Sequence, residues 1–224
     1  MPKHARFGCA STLAFELSHG SHRLIVNCGG AAAVGGLVPL NLEQGLRATA
    51  AHSTLTLDNS NSTAVLSDGA IGVGVSQVDI ERRSVESGGA SATRLEASHN
   101  GYVSRYGLTH RRILIIRDDG TELRGEDILL PATRKPKDSK VRFAIRFHLG
   151  PDIEVGLTDD KQGAGLALPD GSYWQFRATG CEITVEDSLW VDGQGRPTAT
   201  QQLILQGFAS RGGETFSWLL KKMS

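Results

Sequence analysis

The chain has 224 residues, with 24 Lys plus Arg against 24 Asp plus Glu and a formal net charge of zero. That balance supplies no general pull toward nucleic acid or an anionic membrane surface, and no apolar run approaches the roughly 20 residues of a membrane span. Three cysteines, Cys9, Cys28 and Cys181, without CxxC spacing, argue against a disulfide framework or a zinc ribbon.

A chain of this length buries roughly 70% of the surface its unfolded form exposes, so it folds without covalent staples. Abundant glycine, 27 residues, among Thr, Val, Ile and Ser points to many short strands and tight turns. The opening Met-Pro-Lys-His-Ala-Arg lacks the ordered regions of a signal peptide. Read alone, it places the chain in the cytoplasm or indicates a lost N-terminus, and the second is the expectation adopted.

In chain order, Leu13 to Ser18 and Arg23 to Cys28 predict a hairpin across His19-Gly20-Ser21-His22. Residues 29–36 are small and Gly-rich and read as a loop. Ser53 to Asp58 alternates strictly and predicts a strand with Leu55 and Leu57 on one face. Thr63 to Ser67 predicts another. Val73 to Glu81 and Thr93 to Ser98 flank Ser87-Gly88-Gly89 as a second hairpin, and Tyr102 to Leu108 is taken as the next strand. Arg111 to Arg117 is a β-branched run ending at Asp118-Asp119-Gly120, and Leu123 to Leu130 follows. A basic cluster at Arg134, Lys135, Lys137 and Lys140 beside Pro136 reads as a solvated loop, the one candidate hinge. Val141, Phe143, Ile145 and Phe147 alternate with Arg142, Ala144, Arg146 and His148, the signature of a half-buried strand. Short strand patterns continue to Lys221. No segment longer than about ten residues shows a capped 3.6 period. The expectation is all-β: a large antiparallel β-sandwich over residues 1–224.

Five blocks carry a resemblance: TLAFELSHGSHRLIVNCG from Thr12, RATAAHSTLTLD from Arg47, HNGYVSRYGLTHRR from His99, DGTELRGEDIL from Asp119, and RFHLGP from Arg146. In this order the chain resembles the C-terminal β-sandwich of heparinase II/III-like polysaccharide lyases, in which the last block often reads RFHLHP. The resemblance implies a two-part enzyme that cleaves uronic-acid polysaccharide by β-elimination. It further implies an acidic polysaccharide partner, a separate or missing N-terminal α/α toroid, and a cell-envelope or periplasmic location. The family's usual Tyr base and Asn partner lie on the toroid, so the isolated chain is expected to show little or no lyase activity.

The same resemblance implies a zinc site. The family's H-x-H motif, strand-end Asp and A-H-[SN]-T histidine match Phe7, Cys9, Asn27 and His52 by position. Cys9, Asn27 and His52 are therefore the candidate metal ligands, although Asn27 is a weak donor for zinc and a structural site needs four good ligands. The other reading is that His52 is a hydrogen-bonded histidine at a strand start with Cys9 packed beside it, Cys28 being the rival thiol.

β-Elimination requires a neutralised uronate carboxylate, a base for the C5 proton and an acid for the leaving oxygen. His99, Tyr102 and Arg112 are the candidate catalytic residues, with Tyr106, His110 and Arg111 nearby; a structural role at strand ends is the competing reading. His148 is expected to hydrogen-bond rather than perform chemistry. Trp174 and Trp218 read as core, and Trp190, beside a Gly-rich turn, as a candidate sugar-stacking residue. No G-x-S-x-G, P-loop or strand-linked G-x-G-x-x-G is present. A non-catalytic carbohydrate- or protein-binding module is the alternative function.

Overall fold

The computed structural model describes residues 8–30, 38–132 and 139–223. Phe7, most of the loop over 29–36, and Arg134, Lys135, Pro136 and Lys137 lie outside them. The described chain forms two antiparallel sheets. One has six strands: β1 (Leu17–His19), β2 (His22–Val26), β3 (Leu55–Leu57), β8 (Lys140–Leu149), β12 (Ile183–Val191) and β13 (Pro197–Ser210). Its order is β1-β2-β8-β13-β12, with β3 pairing to β8 as well. The other holds β4 (Val78–Ser87), β5 (Ala90–His99), β6 (Leu108–Arg117), β7 (Glu122–Pro131), β9 (Glu154–Leu157), β10 (Gly163–Ala167), β11 (Tyr173–Ala178) and β14 (Glu214–Lys222). Its order is β4-β5-β6-β7-β14-β11-β10-β9. The expected all-β antiparallel sandwich is what forms.

Period-two alternation builds the core between the sheets. Val141, Phe143, Ile145 and Phe147 of β8 are buried, as are Phe176 of β11 and Phe216, Trp218 and Leu220 of β14. Phe147 packs edge-on to Trp218 at 4.8 Å between ring centroids, Phe15 stacks on Trp218 at 5.6 Å, and Phe143 stacks on Phe216 at 4.0 Å. Each such ring contributes about 1.5–3 kcal/mol through burial. Trp174 is also core.

Both expected hairpins form. The β4–β5 turn closes on Gly88 and Gly89, whose φ values of 61° and 77° match the two left-handed positions of a type I′ turn.

Two expected strands are corrected. Thr63 to Ser67 makes only an isolated bridge, Val65 to Ile71. Tyr102 to Leu108 is not extended: Val103–Tyr106 forms a short helix, α2, closed by Gly107 at φ 72°. Helical spacing puts Tyr102 and Tyr106 on one face, and their hydroxyls donate to the carbonyls of Leu55 and Leu57. Burying two tyrosines with satisfied hydroxyls outweighs the local strand pattern. The other helix, α1, spans Leu40–Leu46. No helix among the described residues is long and apolar enough to cross a membrane.

One edge of β8 is shared. β2 pairs at Leu149 and His148, and β3 pairs from Ile145 to Phe143. At the far end, Gly150 lets the β2 backbone come close: a Cβ there would lie 1.9 Å from the Arg23 carbonyl oxygen. Gly150→Ala is expected to destabilise the protein by about 1–3 kcal/mol through overpacking against rigid backbone, read from the urea midpoint at unchanged m-value.

Candidate functional site

The inner face of β5, β6 and β7 carries polar residues in phase with its apolar ones. The register aligns His99 with His110 and Arg112 with Asp127. All four are buried; His99 is 2% exposed and Asp127 0%. Their hydrogen bonds run in one direction. The Gly101 N–H donates to His99 Nδ1 at 3.0 Å, which puts the His99 proton on Nε2. That Nε2–H faces His110 Nδ1 at 3.3 Å, and His110 Nε2–H donates to Asp127 Oδ1 at 2.8 Å.

Arg112 completes the carboxylate's shell. Its Nε donates to Oδ1 at 2.8 Å and its Nη2 to Oδ2 at 3.0 Å, the bidentate geometry favoured for this pair. Trp218 Nε1 donates to Oδ2 at 3.0 Å. The remaining guanidinium nitrogen, Nη1, bridges to the other side of the sandwich through the carbonyls of Leu13 (2.8 Å) and Ser53 (2.7 Å). Burial works to raise the Asp127 pKa, but Arg112 and His110 overcome it and hold the carboxyl well below the usual carboxylate range. Burial, with His110 and Arg112 adding to it, pushes His99 down to about 3. His110 is lowered too, chiefly by burial. The cluster therefore holds two neutral histidines beside one closed ion pair.

Tyr102 is 1% exposed, and its hydroxyl donates to the Leu55 carbonyl at 2.8 Å. Burial pushes its pKa far above the ordinary phenol value. Its ring packs 5.4 Å from His99. The structure thus brings His99, Tyr102 and Arg112 together and turns them into the sandwich interior. Tyr102→Phe is expected to cost about 1 kcal/mol, measured by denaturant titration.

Two of the candidate metal ligands, Asn27 and His52, come together at the gap between β2 and β3. Ser53 is the hub there. Its N–H donates to Asn27 Oδ1 at 2.9 Å, its hydroxyl donates to the Val26 carbonyl at 2.7 Å, and it accepts the His148 N–H at 2.9 Å. Asn27 Nδ2 donates to Glu16 at 3.2 Å. His52 Nδ1 donates to the Ala48 carbonyl at 2.8 Å. Burial lowers the His52 pKa, partly opposed by that bond and by Glu16. Burial raises the Cys9 thiol, with Arg47 opposing. Asn27 thus spends both amide atoms on protein partners, and Cys9 favours the thiol over the thiolate that zinc takes. No three of the described His, Cys, Asp and Glu residues gather to hold a metal. The donor set does not fit zinc.

Beside this gap, His148 Nε2 donates to the Ala50 carbonyl at 3.0 Å, so Nδ1 accepts from the Ser188 hydroxyl at 2.7 Å. Cys28 Sγ lies 3.5 Å from the same Nδ1. Burial takes His148 down to about 4 and raises Cys28. None of the three cysteines is in a disulfide. Trp190 is half-buried on β12, with the Arg23 guanidinium 5.5 Å from its ring centroid, so one ring face already carries a cation–π contact. Ser53, Asp127 and Ser188 were not singled out in sequence, though Asp127 is in phase with the buried Leu123 and Leu129.

The family model for heparinase II/III-like C-terminal domains matches residues 1–219. A protein from Caulobacter vibrioides, FtsZ-localized protein C, is 28% identical over 226 residues, which cover 96% of this chain and 37% of that protein. The crystal structure of heparan sulfate lyase HepC from Pedobacter heparinus superposes with a TM-score of 0.73 at 15% identity, over 96% of this chain and 31% of that one. A crystal structure of heparinase III gives 0.70 at 15% identity, over 98% and 31%. The chain spans about a third of the length of these relatives.

Proposed function

The chain belongs to the heparinase II/III-like C-terminal family, and from that premise we propose that it acts as a non-catalytic β-sandwich module, a binding and supporting partner to a companion domain and not the seat of β-elimination. One observation carries this reading. Both ring nitrogens of His99, the Tyr102 hydroxyl and all three Arg112 nitrogens are engaged with protein atoms inside the sandwich. A base must reach the proton it removes, and a group bonded into the core reaches nothing outside it. The Caulobacter vibrioides relative is named for localisation with FtsZ and not for lyase chemistry, which also supports a binding role. An acidic polysaccharide remains the ligand class that the lyase relatives suggest, held against a wall of this sandwich when the companion domain is present.

The test is to incubate the protein with heparan sulfate, hyaluronan and alginate and follow the ultraviolet absorbance of unsaturated uronate. No rise is expected. Turnover by this chain that disappears in a folded His99→Ala variant would overturn the proposal. Glycan quenching of tryptophan fluorescence without turnover would identify the bound class.

A further inference from the structure

The eight-strand sheet ends on β4, where large apolar residues of its inner face are exposed. We propose that the first half of β4, Val78 to Glu81, is an open docking edge that takes an extended segment of another polypeptide chain as a ninth strand, a segment alternating apolar and basic side chains. This inference stands independently of the functional reading above.

β4 is the terminal strand of its sheet. It pairs with β5 through ten consecutive positions, Val78 with His99 to Ser87 with Ala90, without a register shift. Its other edge therefore presents a straight row of backbone donors and acceptors, the template used in strand addition.

The side chains say what the incoming strand must carry. Val78 and Ile80 lie opposite His99 and Ala97 on β5, in the rows that continue through buried His110 and Arg112. They belong to the inner, core-forming face, yet they are 51% and 71% exposed. Further along the same face, from Arg82 onward, a trough of about 370 Å³ is lined by Phe15, Glu16, Leu17, Leu95, Leu114 and Ile116. An apolar side chain from a ninth strand would extend this face and cover Ile80. On the opposite face, Asp79 and Glu81 are exposed; Glu96, directly across from Glu81, is paired with Arg94 and Arg111, while Glu81 has, among the described residues, only the exposed Arg83 at 3.8 Å, a contact worth little. Opposite charges across a strand pair stabilise it and like charges oppose it, so that face asks for lysine or arginine.

The second half of the strand is guarded. Arg82 points to the inner face and Arg83 to the outer, and inward charge is one way a natural edge is closed to pairing. Only the first half is left open.

A second copy of the chain fits less well than a basic strand. In an isologous antiparallel pair that keeps the faces matched, residues of equal parity oppose each other. Every register that sets a residue of 78–86 against Ile80 then brings together Asp79 with Asp79, Asp79 with Glu81, Glu81 with Glu81, Arg82 with Arg82, or Arg83 with Arg83, and the two registers that also pair Asp79 or Glu81 with Arg83 keep Glu81 against Glu81 or Arg82 against Arg82.

The test uses the full chain and a fluorescein-labelled peptide of alternating valine and lysine, followed by anisotropy. Binding is expected, with affinity at least about tenfold lower for a valine–glutamate peptide and for one N-methylated along its pairing edge. Ile80→Lys should weaken binding by about tenfold or more while leaving the thermal midpoint in place, because the side chain is on the surface. The pair Asp79→Lys and Glu81→Lys should reverse the preference between the two peptides. Equal binding by all three peptides, no binding of the valine–lysine peptide, or indifference to Ile80→Lys would each overturn the proposal. So would a dimer of the chain that Ile80→Lys dissociates, which would make a second copy the occupant.

Discussion

Asp127→Ala is expected to destabilise the fold by about 3–5 kcal/mol. The carboxylate is fully buried and accepts from His110, Arg112 and Trp218 at 2.8–3.0 Å. Removing it leaves a guanidinium charge inside the sandwich with no counter-charge, and an indole N–H and an imidazole N–H without acceptors. Total stability for a domain is only about 5–15 kcal/mol, so the variant sits near the edge of folding. Arg112→Met is expected to be costly for a different reason. Besides leaving Asp127 without its cation, it removes the two hydrogen bonds to the Leu13 and Ser53 carbonyls that tie the inner face of β6 to the segments preceding β1 and β3. The double variant Asp127→Ala with Arg112→Met should therefore be less damaging than the sum of the single ones, by about 2 kcal/mol, but still less stable than the parent. Urea unfolding of the four proteins measures this. Strict additivity would show that the pair is not the coupled unit the geometry describes.

Much of this architecture is legible from sequence because period-two alternation and turn chemistry are local. The Gly88-Gly89 turn, the buried tryptophans at 174 and 218, and the β8 pattern from Val141 to His148 follow from residue type and spacing alone. The Val103–Tyr106 helix does not, because its reason lies about fifty residues away in the carbonyls of Leu55 and Leu57. The candidate site is half legible in the same way. His110 and Arg112 share the phase of Leu108 and Leu114, and Asp127 that of Leu123 and Leu129, so a phase argument marks all three as buried polar groups that need partners. Which partner each finds depends on strand order, and that is a long-range property. Asn27 and His52 do arrive at one corner, brought together by Ser53, yet the amide of Asn27 is consumed by Ser53 and Glu16. Gly150 is equally a long-range matter, since the approach of the Arg23 carbonyl leaves no room for a side chain there.

The buried histidines make the protein acid-labile well above the range where carboxylates titrate. His99 falls from 6.5 in the unfolded chain to about 3 in the folded one, and His148 from 6.5 to about 4, in both cases chiefly through burial; His110 and His52 shift in the same direction. A histidine with a depressed folded pKa is neutral in the native state over a range where the unfolded chain binds a proton. Its stabilisation is fully present above about pH 6.5 and drains away as pH falls toward the folded value. Each such group contributes a slope of about 1.4 kcal/mol per pH unit within its window, so His99 and His148 together give ~3 kcal/mol per unit between about pH 6 and pH 4. Asp127, with its depressed carboxyl, adds to the loss only once pH drops below its unfolded value of 3.8. For a domain of ordinary stability, unfolding is expected by about pH 4. Urea titrations at a series of pH values read the slope directly. In His99→Gln the slope over the same range should fall by about 1.4 kcal/mol per unit. A parent protein whose stability is flat from pH 6.5 down to pH 4.5 would show that these rings are charged in the folded state. The directed run of hydrogen bonds from Gly101 through His99 and His110 to Asp127 would then need a different assignment of protons.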